Sequence, residues 1–220
     1  MESIVQQLST QTAALAREAS RRLFHVPVST GGRSALSFDG KRILVPAIEA
    51  AKGEELRILA PGGKVVLAKV IGFDQAEGFA VLELAEALPG TAWTADQGLP
   101  ELGSLLLSVA FPSDEGPEAR LDLVRIAHGE PSGEDAYIQT DGSPFPGFAG
   151  GALVSPTGAL AGVIAADRSG NHGWALPAAR ARALVDAIVN RGFPGKAWLG
   201  VSTLPVDLPE ALRPLVGGRA

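Results

Sequence analysis

The stretch from Pro146 to Val154 (Pro-Gly-Phe-Ala-Gly-Gly-Ala-Leu-Val) has the clearest capacity for chemistry in this chain. Gly147, Gly150 and Gly151 give it a backbone that reaches positive φ and comes close to a bound group, which only glycine allows. Such a turn suits two roles. Its backbone can come very close to a bound group. Equally, the turn can close a small barrel that needs those dihedral angles. Other reactive residue types are scattered. His25 falls in a strand-like run, His128 at the end of another, and His172 in a loop. Lone histidines so placed read as structural or solvated, and no metal site is expected. Glu49 and Glu77 could form a carboxylate pair for acid/base work. Neighbouring strand residues point to opposite faces, so each is expected to face away from its own neighbour's direction. Ser143 and Ser155 sit near the glycine turn, where hydroxyls bond to backbone.

The elements that position these residues are short strands. Leu23–Val28, Arg33–Phe38, Lys41–Val45, Leu56–Leu59, Lys64–Ile71 and Phe79–Leu84 are apolar runs separated by Gly31-Gly32, Asp39-Gly40 and Pro61-Gly62-Gly63. Asp-Gly between such runs is a strong hairpin signal. A connector over 85–102 leads to Ser104–Ala110, Leu121–Ala127, Ala136–Thr140, Ala152–Val154, Ala159–Ala165 and Trp174–Leu176. The expectation is an all-β fold of two six-stranded barrels, 23–84 and 103–176.

Helices flank them. Residues 2–22 carry a weak apolar stripe (Ile4, Val5, Leu8, Leu15, Ala19), read either as an arm for a partner or as a helix packed on its own domain. Pro177–Asn190 places Ala181, Leu184, Val185, Ile188 and Val189 on one face, with Pro177 at its start and Gly192 past its end. The organisation read from this is an arm (1–22), a double-barrel domain (23–195, its helix 177–191) and a tail (196–220).

The bulk numbers exclude some classes. Net charge is −5, which gives no footprint for nucleic acid or an anionic membrane. Without cysteine there is no disulfide, thiolate metal site or cysteine nucleophile. No membrane segment and no signal-peptide core stand out, so the chain reads either as cytoplasmic or as following an export or anchor segment.

Four blocks resemble the HtrA/Deg family of trypsin-like serine proteases besides the glycine turn itself, which resembles P-G-N-S-G-G-P-L-V. Asp39–Ile48 is similar to D-G-x-I-L-T-N-A-H with one residue inserted, and Val70–Leu82 to V-V-G-x-D-x-x-x-D-L-A-V-L. Tyr137–Asp141 is similar to F-I-Q-T-D. Trp174–Pro177 and Trp198–Val201 are similar to F-A-I-P and to the W-L-G-V that opens the family's PDZ domain.

The resemblance implies a trypsin-like double barrel, with 196–220 as the start of a truncated PDZ-like segment. It places the family's catalytic His, Asp and Ser on Ile48, Gly78 and Ala149, and gives Asp141 a supporting role. These three side chains supply no base, no orienting carboxylate and no nucleophile. A single Ser→Ala change would account for Ala149 alone. The chain therefore reads as not an enzyme: a pseudoprotease with no cofactor and no metal, which binds a protein or extended peptide and regulates a partner protease or an assembly. The alternatives are an HtrA-like endopeptidase in an inactive form, or a structural spacer. Gly147, Phe148, Ala149, Gly150 and Gly151, with Phe145, form the degenerate oxyanion turn and a candidate peptide-binding surface. Phe145 and Phe148 either fill the old substrate pocket or anchor a partner. The edge around Ala159–Ala165 is where an extended segment would pair. The resemblance also makes a trimer possible and suggests an extracytoplasmic location.

Overall fold

The computed structural model describes residues 3–29, 31–46, 48–93, 98–143, 146–165 and 173–191. Its strands are β1 (Leu23–Val28), β2 (Gly31–Ser37), β3 (Arg42–Pro46), β4 (Glu55–Leu59), β5 (Val65–Asp74) and β6 (Phe79–Leu84), then β7 (Leu105–Ser113), β8 (Gly116–His128), β9 (Tyr137–Thr140), β10 (Ala152–Val154), β11 (Leu160–Ile164) and β12 (Gly173–Pro177). They close into two antiparallel barrels, β1-β2-β3-β6-β5-β4 and β10-β11-β12-β9-β8-β7. Two helices flank them, α1 (Ile4–Ser20) and α2 (Ala178–Arg191). This is the double barrel expected from the strand spacing.

Side-chain alternation explains why the strands read as continuous apolar runs. Ala80 and Leu82 of β6 fill barrel 1 with Ile43 and Val45 of β3. Phe79 and Val81, one residue out of phase, face a second core with Leu44, Leu107, Val109, Phe111 and the α2 residues Ala181, Leu184, Val185 and Ile188. Leu106, Ala110, Ile138, Leu153 and Ala161 fill barrel 2. Both faces of these strands are thus buried, which erases the polar half of a two-residue period. Each fully buried large side chain contributes about 1.5–3 kcal/mol.

Turns follow their residue chemistry. Asp39 Oδ1 accepts the Lys41 and Arg42 amides at 2.8 and 2.7 Å, and Ser37 Oγ accepts the Gly40 amide at 2.8 Å. Gly40 supplies φ +79. Helix α1 opens on a capping box between Ser3 and Gln6. Its C-terminal half packs through Leu15, Ala16 and Ala19, whereas Ile4 and Val5 are exposed. The helix is therefore docked on its own domain at one end only.

The connector adds Trp93 to the core: its side chain is 1% exposed, and its amide donates to the Ser37 carbonyl at 2.9 Å. One expectation needs correction. The edge expected around Ala159–Ala165 is not free along β11, because this strand pairs with β10 on one side and β12 on the other. The tail 196–220 lies outside the described residues.

Candidate functional site

The glycine turn is held from barrel 1. Pro146–Phe148 forms a 3-10 turn. Gly150 N–H donates to the Ile164 carbonyl at 2.7 Å and Gly151 N–H to the Phe148 carbonyl at 2.9 Å. The carbonyls are tied down as well. Ser34 of β2 donates its amide to the Ala149 carbonyl at 3.1 Å and its Oγ to the Gly147 carbonyl at 2.9 Å. Gly150 stands at φ +85, and a Cβ there would lie 1.8 Å from the Ser34 carbonyl. These bonds tie the turn to barrel 1, with glycine where a side chain would collide.

Strand register gathers the three candidate triad positions. Pro46 of β3 pairs with Phe79 of β6. Ile48 follows Pro46 and Gly78 precedes Phe79, so both lie at one end of this pair. A Cβ on Gly150 would lie 2.5 Å from Pro46 Cδ, which brings Ala149 to the same end. Ile48 packs against the barrel 1 core. Gly78 has φ +73, with open space where a side chain would begin. Ala149 is buried.

The flanking residues behave differently from one another. Phe148 is 5% exposed and packs inside barrel 2, with the Arg120 guanidinium 4.7 Å from its ring centre. Phe148 is thus buried among the residues of barrel 2 rather than exposed as an anchor. Phe145 lies outside the described residues. Arg120 also donates to the Ser143 carbonyl at 2.6 Å and sits 3.0 Å from the buried Asp122, which accepts Ser108 Oγ at 2.5 Å. Asp141 accepts the Leu123 amide at 2.7 Å, a structural bond.

The carboxylate pair does not form. Glu49 is exposed, and Glu77 is paired with Arg180 of α2 at 2.5 Å. The histidines are not gathered either. His25 Nδ1 bonds the Phe111 carbonyl at 3.1 Å, His128 lies 3.7 Å from Asp135, and His172 is outside the described residues. Among the described residues no cluster suits a metal ion.

Sequence reading missed the link between turn and cavity. Phe111 accepts from His25 at its carbonyl and donates its amide to Ser34 Oγ at 2.7 Å. Ser34 continues to the turn. His25 and the residue after Phe111, Pro112, line a cavity of about 650 Å³ beside it, together with Pro27, Val28, Gly32, Arg57 and Ile58. Nothing local marks Ser34: its bond to Gly147 spans 113 residues of chain.

Two antiparallel six-stranded barrels with a glycine turn at their junction define the trypsin-like peptidase class, and residues 40–163 match the trypsin-like peptidase domain. The chain belongs to this family, and its relatives are the HtrA/DegP serine proteases. It is 27% identical over 192 residues to a serine protease Do-like HtrA of Lactobacillus helveticus, covering 80% of this chain and 46% of that one. It is 28% identical over 171 residues to a probable periplasmic serine endoprotease DegP-like of Rhizobium meliloti, covering 73% and 34%. The chain thus spans less than half the length of these curated relatives. Among solved structures, an HtrA-type protease AlgW with decapeptide superposes with TM-score 0.74 at 21% identity, covering 95% of this chain and 76% of that one. The serine endoprotease from Yersinia pestis superposes with TM-score 0.70 at 22% identity, covering 82% and 67%.

These findings overturn the reading of the chain as not an enzyme. Its family is a peptidase family, and its relatives are named serine proteases and endoproteases. What the residues at 48, 78 and 149 lack describes three side chains, not the activity of the protein.

Proposed function

We propose that this member of the trypsin-like peptidase family binds an extended segment of another protein at the junction of its barrels. The observation that carries this reading is the cavity of about 650 Å³, lined mainly by apolar residues of β1, β4 and β7 and coupled through Phe111 and Ser34 to the glycine turn. Pockets of this size with a few placed polar groups are the usual form of a binding site. The turn at Gly147–Gly151 stands behind this cavity, held to it through Ser34 and Phe111. Structures of one structural relative, the HtrA-type protease AlgW, include a tripeptide or a decapeptide. In this reading the chain is a binding or scaffold module that acts on a partner protease or an assembly, in the extracytoplasmic space where relatives named periplasmic reside. No helix among the described residues is long and apolar enough to cross a membrane.

The test is calorimetry with a permanently unfolded protein, with hydrolysis followed in the same samples by mass spectrometry. Saturable binding that Gly32→Val abolishes supports the reading. A Cβ at Gly32 would lie 2.1 Å from both the His25 ring and the Pro112 carbonyl, so this change disrupts the cavity wall. Absence of binding by the wild-type protein would overturn it.

A further inference from the structure

We propose that the seam between β1 and β4 takes up the partner segment as an added strand, with a carboxylate of that segment on Arg57. This rests on the reading that the chain binds an extended segment, and it names the edge and the chemistry.

Barrel 1 closes through one strand pair at this seam, His25 with Leu59. Continued antiparallel register would next set Pro27 against Arg57. The direction of the β4 backbone groups follows from the other side of the strand. Ala60 N–H bonds the Lys64 carbonyl at 2.8 Å, and Val70 N–H bonds the Glu54 carbonyl at 2.9 Å. Even-numbered residues therefore exchange bonds with β5, and the alternation of an antiparallel ladder turns the N–H and C=O of Arg57 and Glu55 toward β1. Pro27 has no N–H to give there, so the ladder stops.

What remains is an open strand edge facing a cavity. The same cavity is lined by Pro27, Val28, Arg57, Ile58 and Val65. An edge with unpaired backbone groups beside an apolar cavity is the setting for binding by strand addition. Arg57 is exposed and forms no ion pair among the described residues, whereas Asp114 stands on the β7 side of the cavity. A segment with Asp or Glu near Arg57, and no second acid toward Asp114, is complementary to this arrangement.

The probes are three capped octapeptides of alternating valine and threonine with a central Glu, Gln or Lys, alongside the permanently unfolded protein. The Glu peptide is expected to bind about fivefold more tightly than the Gln peptide, the scale of an exposed ion pair. Arg57→Glu should weaken the Glu peptide and strengthen the Lys peptide. Pro27→Val restores the missing donor, so it should close the seam, raise the melting temperature and abolish peptide binding. The Arg57 amide should become protected from hydrogen exchange when the Glu peptide binds. If the unfolded protein binds wild type, Arg57→Glu and Pro27→Val alike, the seam is not the edge, although the binding reading stands. If it does not bind wild type, both fail. Should Pro27→Val not fold, exchange of the Arg57 amide in wild type decides alone, and unchanged exchange at saturating peptide overturns the proposal.

Discussion

Ser34 Oγ and the Gly147 carbonyl meet at 2.9 Å across the junction of the two barrels, and the same oxygen accepts the Phe111 amide at 2.7 Å. One buried hydroxyl thus satisfies a donor on β7 and an acceptor on the glycine turn.

Ser34→Ala should leave both groups unpaired. A buried group without its partner costs about 1–3 kcal/mol. For a chain of this size, each kcal/mol lowers the melting temperature by roughly 2–4 °C. Calorimetry should show this loss, and amide exchange at Phe111 should quicken.

Two glycines with the same φ separate strain from space. Gly150 and Gly158 stand at φ +85 and +84, but a Cβ at Gly158 would meet only Leu15 Cδ2, at 3.5 Å. Gly158→Ala should cost about 1–2 kcal/mol, the left-handed penalty. Gly150→Ala adds a collision with the Ser34 carbonyl and should abolish folding. Comparable melting temperatures for the two variants would contradict the placement of the turn.

Asp122 is 2% exposed, with Ser108 and Arg120 against it. Breaking a buried pair by removing one partner costs about 3–5 kcal/mol. Arg120 keeps 26% of its side chain exposed, so Asp122→Ala should fall below that range, at about 2–3 kcal/mol. Urea denaturation checks the value. Phe148 should also loosen, because Arg120 lies over its ring.

Glu77→Gln should weaken the tie between α2 and the β5–β6 turn. Arg180 retains its bond to the Ala136 carbonyl, so the loss should be about 1–3 kcal/mol. Double-mutant cycles with Arg180→Met isolate the pair, and a coupling near zero would contradict it.

The sequence by itself determined the strands, their turns and the family. Strand runs such as Phe79–Leu84 and turns such as Asp39-Gly40 are local: apolar content, glycine and a side-chain acceptor two or three residues away suffice. Motif blocks likewise keep their order along the chain whatever the packing. The helix face of Ala181, Leu184, Val185 and Ile188 was legible for the same reason.

Only the tertiary structure decided which surfaces are free. Phe148 looks like a candidate anchor in sequence, yet Arg120, 28 positions earlier, covers it. The Ala159–Ala165 run looks like an edge, yet strands on both sides pair with β11. The open edge lies instead at Arg57, facing Pro27. A strand's own residues define its two faces, but pairing with distant strands decides which of its backbone groups remain unbonded.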